Sequence, residues 1–371
     1  MVLLSVIAAL FITYTILIFY YRQSWASIPI FKESVSVPVT RISVIIPARN
    51  EENNIGALLQ SISEQTYPKD LFEVIVIDDS SADRTAVIAQ QYSFVRLISL
   101  KDTSINSYKK KAIEIGVAAA TGELIVTTDA DCIVQPQWLT LIESFHKQTS
   151  AVFIVAPVAI NSNRSLVQIF QALDFMVLQG ITGASVHSKM LSMCNGANLA
   201  YEHKAFHSVN GFSGIDHIAS GDDMLLMYKI WKQYAGRVQY LKSKDVIVST
   251  QPAQTWNEFF NQRIRWASKA DKYDDKRIFW VLLIVYLFNF SFVALLVAGF
   301  FNSYYWWSLL FLFAAKTLVE LPFIISVASF FNKKHLLKYF ILFQPLHILY
   351  TIVAGWLGKF GSYKWKGRKV K

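Results

Sequence analysis

Apolar residues fall into three regimes along this chain. Residues 2–21 are an almost unbroken apolar run, about 20 residues and so long enough to cross the hydrocarbon of a bilayer as a helix. Between 41 and 160, short apolar runs alternate with stretches of helical period. Beyond 277 the chain turns apolar again over 278–301, 304–331 and 340–357, the last marginal for a span at about 18 residues.

The middle regime predicts its elements one by one. Residues 41–47 (RISVIIP) read as a strand that Pro47 stops. Ile55, Leu58, Leu59 and Ile62 recur at i, i+3, i+4 and i+7, one face of a helix. A second strand, 72–77, runs into Asp78, Asp79, Ser80 and Ser81. Ser81 is expected to cap a helix whose Val87 and Ile88 face inward. Residues 94–100 form a third strand, followed by a polar loop and a helix over 109–120 that Gly122 closes. The fourth strand, apolar from Leu124 to Val126, exits into Asp129 and Asp131. Pro136 then opens a helix carrying Leu139, Ile142 and Phe145, and 151–160 reads as a further strand. Strand, helix, strand repeated in this way predicts an α/β fold whose mostly parallel sheet is covered on both faces. From 161 to 254 the alternation gives way to an α+β region with a helical stretch over 166–178.

The topology has a chemical consequence. Right-handed crossovers put the strand exits on one edge, where ligands of open α/β sheets bind. Asp78, Asp79, Asp129 and Asp131 are therefore expected to line one cleft. Asp129 and Asp131 are spaced i, i+2, and the chain has no Gly-rich phosphate loop, so a hard divalent cation would handle any phosphate. Taken alone, an Asp-x-Asp is more often a solvated turn.

Composition changes the picture in a few places. The 371 residues are 53% hydrophobic with a formal charge of +10. Basic residues beside apolar spans reflect the positive-inside bias, so no nucleic-acid role is expected. Ser24-Trp25-Ala26 loosely resembles a cleavage site, yet no basic residue precedes the first apolar run, whereas Arg22, Lys32 and Arg41 follow it. That order predicts a retained anchor, N-terminus outside, with the chain continuing into the cytoplasm. Cys132 and Cys194 give no disulfide framework. His203-x-x-x-His207 is the one zinc-like spacing and reads as an ordinary helix face. Residues 255–275 look amphipathic, with Trp256, Phe259, Phe260, Ile264 and Trp266 among Arg263, Arg265 and Lys269, which suits a membrane surface. Lys316 and Glu320, one turn apart in an apolar run, read either as a neutralising pair facing the bundle or as a polar lining for an acceptor. Three C-terminal crossings would place the six basic residues of 359–371 outside, against the positive-inside bias.

In order along the chain stand SVIIPARNEE, VIVIDDSSADRT, TTDADC, NGANLAY, GDD and QRIRW. With these pieces the chain resembles the family 2 glycosyltransferases, in the membrane-attached branch of cellulose, chitin and hyaluronan synthases and ceramide glucosyltransferases. The resemblance runs from about Arg41 to Trp266. It implies a GT-A fold, a Rossmann-like mostly parallel sheet, with transmembrane helices at both ends. The corresponding division is an anchor over 1–21, a catalytic domain over 41–250, an interfacial helix over 254–275, two or three membrane helices over 278–357 and a basic tail over 358–371.

The same resemblance assigns roles. Asp78 or Asp79 would hydrogen-bond the base of a nucleotide, with Pro47 and Glu51 beside it. Position 49, often aromatic in the wider family, is Arg here. Lys109 matches a lysine near the diphosphate, with Lys110 and Lys111 as alternatives in register. Asp129 and Asp131 match the metal and ribose-diphosphate pair, Asp131 as direct ligand of Mg²⁺ or Mn²⁺. Asp223 would be the catalytic base and Asp222 would orient it. Gln262, Arg265 and Trp266 carry the Gln-x-x-Arg-Trp pattern, Arg265 toward phosphate and Trp266 toward the acceptor, with Gly196 and Asn198 beside the acceptor. The implied activity is inverting transfer of a sugar from a nucleotide donor, a UDP-sugar, to a lipid-linked or polysaccharide acceptor at the inner membrane face; the membrane part, small for a polymer channel, points to single or few additions. A membrane-anchored scaffold of a polysaccharide export complex, which binds nucleotide sugars without turning them over, is the alternative.

Overall fold

The computed structural model describes residues 2–32, 37–100, 108–162, 165–190, 193–218, 221–268 and 275–360, and the backbone of 363–365 and 368–370. Part of the expected linker before the first strand, the polar loop after the third, and Lys269 with the end of the amphipathic stretch lie outside the described residues. The chain opens on helix α1 (Val2–Ser27). It continues through β1 (Ile42–Ala48), α2 (Ile55–Ser63), β2 (Phe72–Asp78), α3 (Thr85–Gln90), β3 (Val95–Ser99), α4 (Tyr108–Ala119) and β4 (Leu124–Thr127). Then come β5 (Cys132–Ile133), α5 (Trp138–Thr149), β6 (Phe153–Val155), β7 (Val158–Ile160), α6 (Leu166–His187), β8 (Leu199–Glu202), α7 (His203–Ser208) and α8 (Met224–Gln233). The last elements are β9 (Val238–Tyr240), β10 (Val248–Thr250), α9 (Trp256–Ala267), α10 (Lys276–Gly299), α11 (Tyr304–Phe330), α12 (Phe340–Phe360) and the hairpin β11 (Tyr363–Trp365) and β12 (Arg368–Val370). The chain forms two compact units, one of residues 28–161 and 185–251, the other of 1–27, 162–184 and 252–371.

The first unit is built on a seven-stranded sheet in the order β3-β2-β1-β4-β8-β6-β9. β1, β2, β3 and β4 are mutually parallel, β6 and β9 are parallel, and β8 alone runs against its neighbours β4 and β6. Its central strands are continuous apolar runs because both faces are covered: Val44 to Ile46, Val74 to Ile77 and Leu124 to Val126 are buried. Register sets the edge. Ala48 pairs with Asp78, and Thr127 pairs with Leu199 at the start of β8. The exits of β1, β2 and β4 and the entry to β8 therefore share one edge. A small second sheet, β5-β10-β7, adjoins it in sequence.

Several sequence expectations are corrected here. Pro47 lies inside β1, not at its end. Its missing N–H is harmless because β4 pairs β1 only as far as Ile45. Residues 151–160 make two strands in different sheets, since Pro157 cannot donate to a continued ladder. Ser81 does not cap α3: its hydroxyl accepts from Asn50 N (3.0 Å), while Asp83 accepts from Thr85 N (3.0 Å). Val87 is exposed, and α3 faces inward through Thr85 and Ala89. Gly122 serves close approach and not helix closure, because a Cβ there would stand 2.5 Å from Ser43 N.

In the second unit, α1, α6, α10 and α11 and the stretch from Lys334 through α12 are each long and apolar enough to cross a membrane. α6 is the unexpected one, longer than the 166–178 stretch and almost wholly buried. Lys316 and Glu320 lie within a closed polar cluster. The Lys316 ammonium meets Glu320 Oε1 and Gln344 Oε1, each at 2.7 Å. Tyr14 Oη and Gln344 Nε2 donate to the same carboxylate. Three helices, α1, α11 and α12, are joined by that one carboxylate.

Candidate active site

The sheet edge gathers side chains distant in sequence. α4 enters with three consecutive lysines, and the helix sends them in three directions. Lys109 places its ammonium 2.6 Å from Asp129 Oδ1 and 3.2 Å from Asp222 Oδ2. Lys110 is buried and donates to the carbonyls of Ile215 (2.8 Å) and Ile218. Lys111 pairs on the surface with Glu114 at 2.8 Å. Burial alone would lower the Lys109 ammonium, but the carboxylates of Asp129 and then Asp222 outweigh it and raise it above the ordinary lysine range.

Asp222 and Asp223 reach this point along a segment tied down from both sides. Lys110 holds its 215–218 part, and Lys229 of α8 holds the carbonyls of Gly211 (2.6 Å) and Ser213 (2.8 Å). Gly221 has a positive φ of 84°, a conformation glycine adopts without strain. Asp223 is the N-cap of α8, its Oδ1 accepting from Met224 N at 2.7 Å. Gly196 closes the cluster: a Cβ there would lie 3.0 Å from both Asp222 Oδ2 and Lys109 Nζ. Lys109, Asp129, Gly196, Asp222 and Asp223 thus come together. Asn198 does not join them as an acceptor contact. It is fully buried, takes the indole N–H of Trp138 (2.9 Å) and donates to the carbonyls of Pro157 and Val246 (2.8 Å each).

Asp131 lies in the turn after Asp129, where Cys132 N donates to the Asp129 carbonyl at 3.1 Å. Asp131 Oδ2 accepts from Thr250 Oγ1 at 3.2 Å, a contact fixed by the pairing of Thr250 with Cys132. Cys132 itself is buried, and burial together with Asp131 and Asp129 pushes its thiol well up, so it is not a nucleophile.

At the exits of β1 and β2 the two loops are laced together. Asn50 Oδ1 accepts from Ala82 N (2.9 Å), Glu51 N donates to Thr85 Oγ1 (2.7 Å), and Arg84 N donates to Glu52 Oε2 (3.1 Å). Glu51 Oε2 also accepts from Asn54 Nδ2 at 2.7 Å. Arg49 turns onto Asp79, donating to its carbonyl at 2.6 Å with its carboxylate at 3.5 Å. Asp78 is buried, its Oδ2 accepting from Ser81 N (3.3 Å) while Oδ1 has no hydrogen-bond partner among the described residues. An acceptor sealed from solvent in this way is costly unless something donates to it.

The Gln-x-x-Arg-Trp helix, α9, belongs to the second unit. Its buried face is not the apolar one expected of a surface helix: Arg263 is buried with Phe259 and Ile264. Gln262 Oε1 accepts from Gln171 Nε2 (3.2 Å), and Trp266 packs near Phe175 with ring centroids 5.9 Å apart. Arg265 lies in the last turn, its carbonyl accepting from Ser268 Oγ at 2.9 Å. Sequence reading placed Arg263 on the basic side of an amphipathic helix; it is instead buried against Asp174, 89 positions away.

Residues 43–207 match the family model described as glycosyl transferase family 2. The probable glycosyltransferase YdaM of Bacillus subtilis is 24% identical over 255 residues, covering 67% of this chain and 59% of that protein. Glycosyltransferase AglE of Haloferax volcanii is 39% identical over 101 residues, 26% of this chain and 33% of its own length. The matches therefore span under two thirds of those relatives. Among solved structures, mannosyltransferase PcManGT from Pyrobaculum calidifontis, in complex with GDP-Man and Mn²⁺, superposes with a TM-score of 0.62 at 19% identity, covering 89% of this chain and 98% of that one. A parallel sheet with its acids on one edge, a matched family model and this structural likeness agree: the chain carries a family 2 glycosyl transferase domain on a GT-A fold, together with helices apolar enough to span a membrane at both ends.

Proposed function

We propose that this protein is an inverting, divalent-metal-dependent glycosyltransferase that moves a sugar from a nucleotide donor to a lipid-linked or glycan acceptor at the inner membrane face. The observation that carries the reading is the bridging of Asp129 and Asp222 by Lys109, which joins the donor-side acids to the Gly221-Asp222-Asp223 segment. Displacing a nucleoside diphosphate builds negative charge on the leaving phosphate. Lys109 is positioned to take part of it, and the Mn²⁺ complex of PcManGT supports a cation for the rest. Asp129 and Asp131 are hard oxygen donors of the kind Mg²⁺ or Mn²⁺ accepts. Among the described residues no group of three or more such donors occurs, so the two carboxylates would share the cation with diphosphate and water. When bound, that cation supplies Lewis-acid stabilisation of the leaving group.

Asp223 would accept the proton of the attacking hydroxyl. With one Asp223 oxygen capping α8, the carboxylate is held in one orientation for that proton. A single base on the face opposite the leaving group gives inversion. Asp78 has one unpartnered oxygen in a buried position. A lone acceptor suits the single imide N–H of uracil better than the paired N–H donors of guanine, which supports a UDP-sugar. PcManGT is described with GDP-Man, so UDP- and GDP-sugars belong in the same panel.

The test is nucleoside diphosphate release and product mass with purified protein, Mn²⁺ and that donor panel. Turnover is expected with a UDP-sugar. In Asp223→Asn it is expected to fall by ~10²–10⁴ while donor affinity is kept. Donor binding without turnover in the parent would favour the scaffold reading.

A further inference from the structure

The second unit contains a buried charge pair that the proposed chemistry does not use. Asp174 lies on α6 with its side chain 4% exposed, and its Oδ2 is 2.6 Å from Nη2 of Arg263, itself 3% exposed, on α9. Asp174 Oδ1 accepts from Tyr350 Oη of α12 at 2.6 Å, and His347 Nε2 stands 3.8 Å from the same oxygen. One carboxylate therefore ties three helices together. On the far side, the Arg263 guanidinium lies 4.3 Å from the centroid of the Trp266 ring and 4.9 Å from that of Phe259. One turn earlier on α6, Gln171 donates to Gln262 and accepts from Ala253 N at 2.8 Å. Phe170 packs edge-on against Phe259 and Tyr350.

We propose that Asp174 is a positioning residue for sugar transfer: through Arg263 it fixes the rotation of α9 about its own axis and thereby the plane of the Trp266 ring. The proposal rests on the reading of Trp266 as the residue that meets the acceptor. Packing alone gives no reason for these charges, because a buried ion pair is commonly no better for stability than apolar side chains of the same volume. A carboxylate does what an apolar contact cannot: it accepts from Tyr350 along a fixed direction and holds the Arg263 guanidinium beside it by charge. Arg263 and Trp266 stand at i, i+3, on one side of α9, so a rotation of the helix moves both.

The experiment uses the full chain in detergent or nanodiscs, with three variants. Tyr350→Phe removes one hydrogen bond, Asp174→Asn removes the charge, and the double variant Asp174→Leu/Arg263→Met replaces the pair by apolar groups. The double variant is expected to unfold at or above the parent's temperature. Its transfer is nevertheless expected to stay ~100-fold down, the scale of loss that misplacement causes, with donor affinity within about twofold. Tyr350→Phe is expected to raise the acceptor KM about fivefold at unchanged unfolding temperature, by partial loss of the same alignment. A second readout does not depend on turnover: the near-ultraviolet circular dichroism of Trp266, taken as the difference between each chain and its Trp266→Phe counterpart. It should collapse in the double variant. Parent-like dichroism there, or parent-like kcat and acceptor KM, would overturn the proposal and reduce the pair to packing. If the parent turns over no donor at all, the transferase reading fails, and the dichroism alone still decides for or against Asp174.

Discussion

Lys109 and Lys316 each meet two acceptor side chains, and their surroundings differ. Lys316 is sealed: its side chain is 1% exposed and that of Glu320 8%, and Gln344 and Tyr14 complete the ring. Lys109 is held by two carboxylates, yet its side chain is 23% exposed and that of Asp129 33%. The first cluster has every polar group met from within. The second keeps a face toward solvent, beside glycine and at a sheet edge. Residue type alone does not separate structure from chemistry here; closure does.

Removing the ammonium should therefore have opposite consequences at the two places. The largest effect on stability is expected for Lys316→Met, which leaves Glu320 buried without its counter-charge and costs about 3–5 kcal/mol, read as a fall in unfolding midpoint in detergent. The apolar double variant Lys316→Leu/Glu320→Leu should recover most of it. Next comes Lys109→Met, expected to lower transfer by ~10²–10³ through lost stabilisation of developing charge. Its partly exposed pair should change stability by only about 1 kcal/mol. A stability loss at Lys109 as large as that at Lys316 would erase the distinction.

A third test sharpens the comparison through pH. Lys242 is buried, donates to Ile28 O (3.3 Å), and is pushed down to about 8 by that burial. Between there and its ordinary 10.5 the unfolded chain binds more protons, so stability should rise over that window. Lys109 is shifted the other way, and the stability it contributes is lost only above the ordinary lysine range. Unfolding midpoints from pH 8 to 10 should climb in the parent and flatten in Lys242→Met.

Much of the fold was legible because strand and helix periods alternate cleanly through the first unit. That β2 and β4 deliver their acids at one sheet edge followed from parallel topology, and the motif order pointed to the family. Four features were not legible, for physical reasons. Lys109, Lys110 and Lys111 are chemically identical neighbours, and only the rotation of α4 decides which meets the acids. Asn198 looks like a polar residue in a glycine-rich loop, but its amide is consumed by Trp138, Pro157 and Val246. The pairing of Arg263 with Asp174 joins residues whose separation exceeds any local period. α6 carries Gln168, Gln171, Asp174 and Gln179 along an otherwise apolar helix, and all four are buried, so its length was underestimated.

The carboxylate of Glu320 has a consequence for how the molecule is made. Tyr14 lies 306 positions before it and Gln344 follows it by 24, so the ring cannot form until the ribosome has passed Gln344. Tyr14 and Lys316 can reach Glu320 before α12 is made, and Gln344 of α12 then closes the ring. Closure of the ring therefore waits for α12, and a chain cut short before it should leave the Lys316–Glu320 pair without its Gln344 partner.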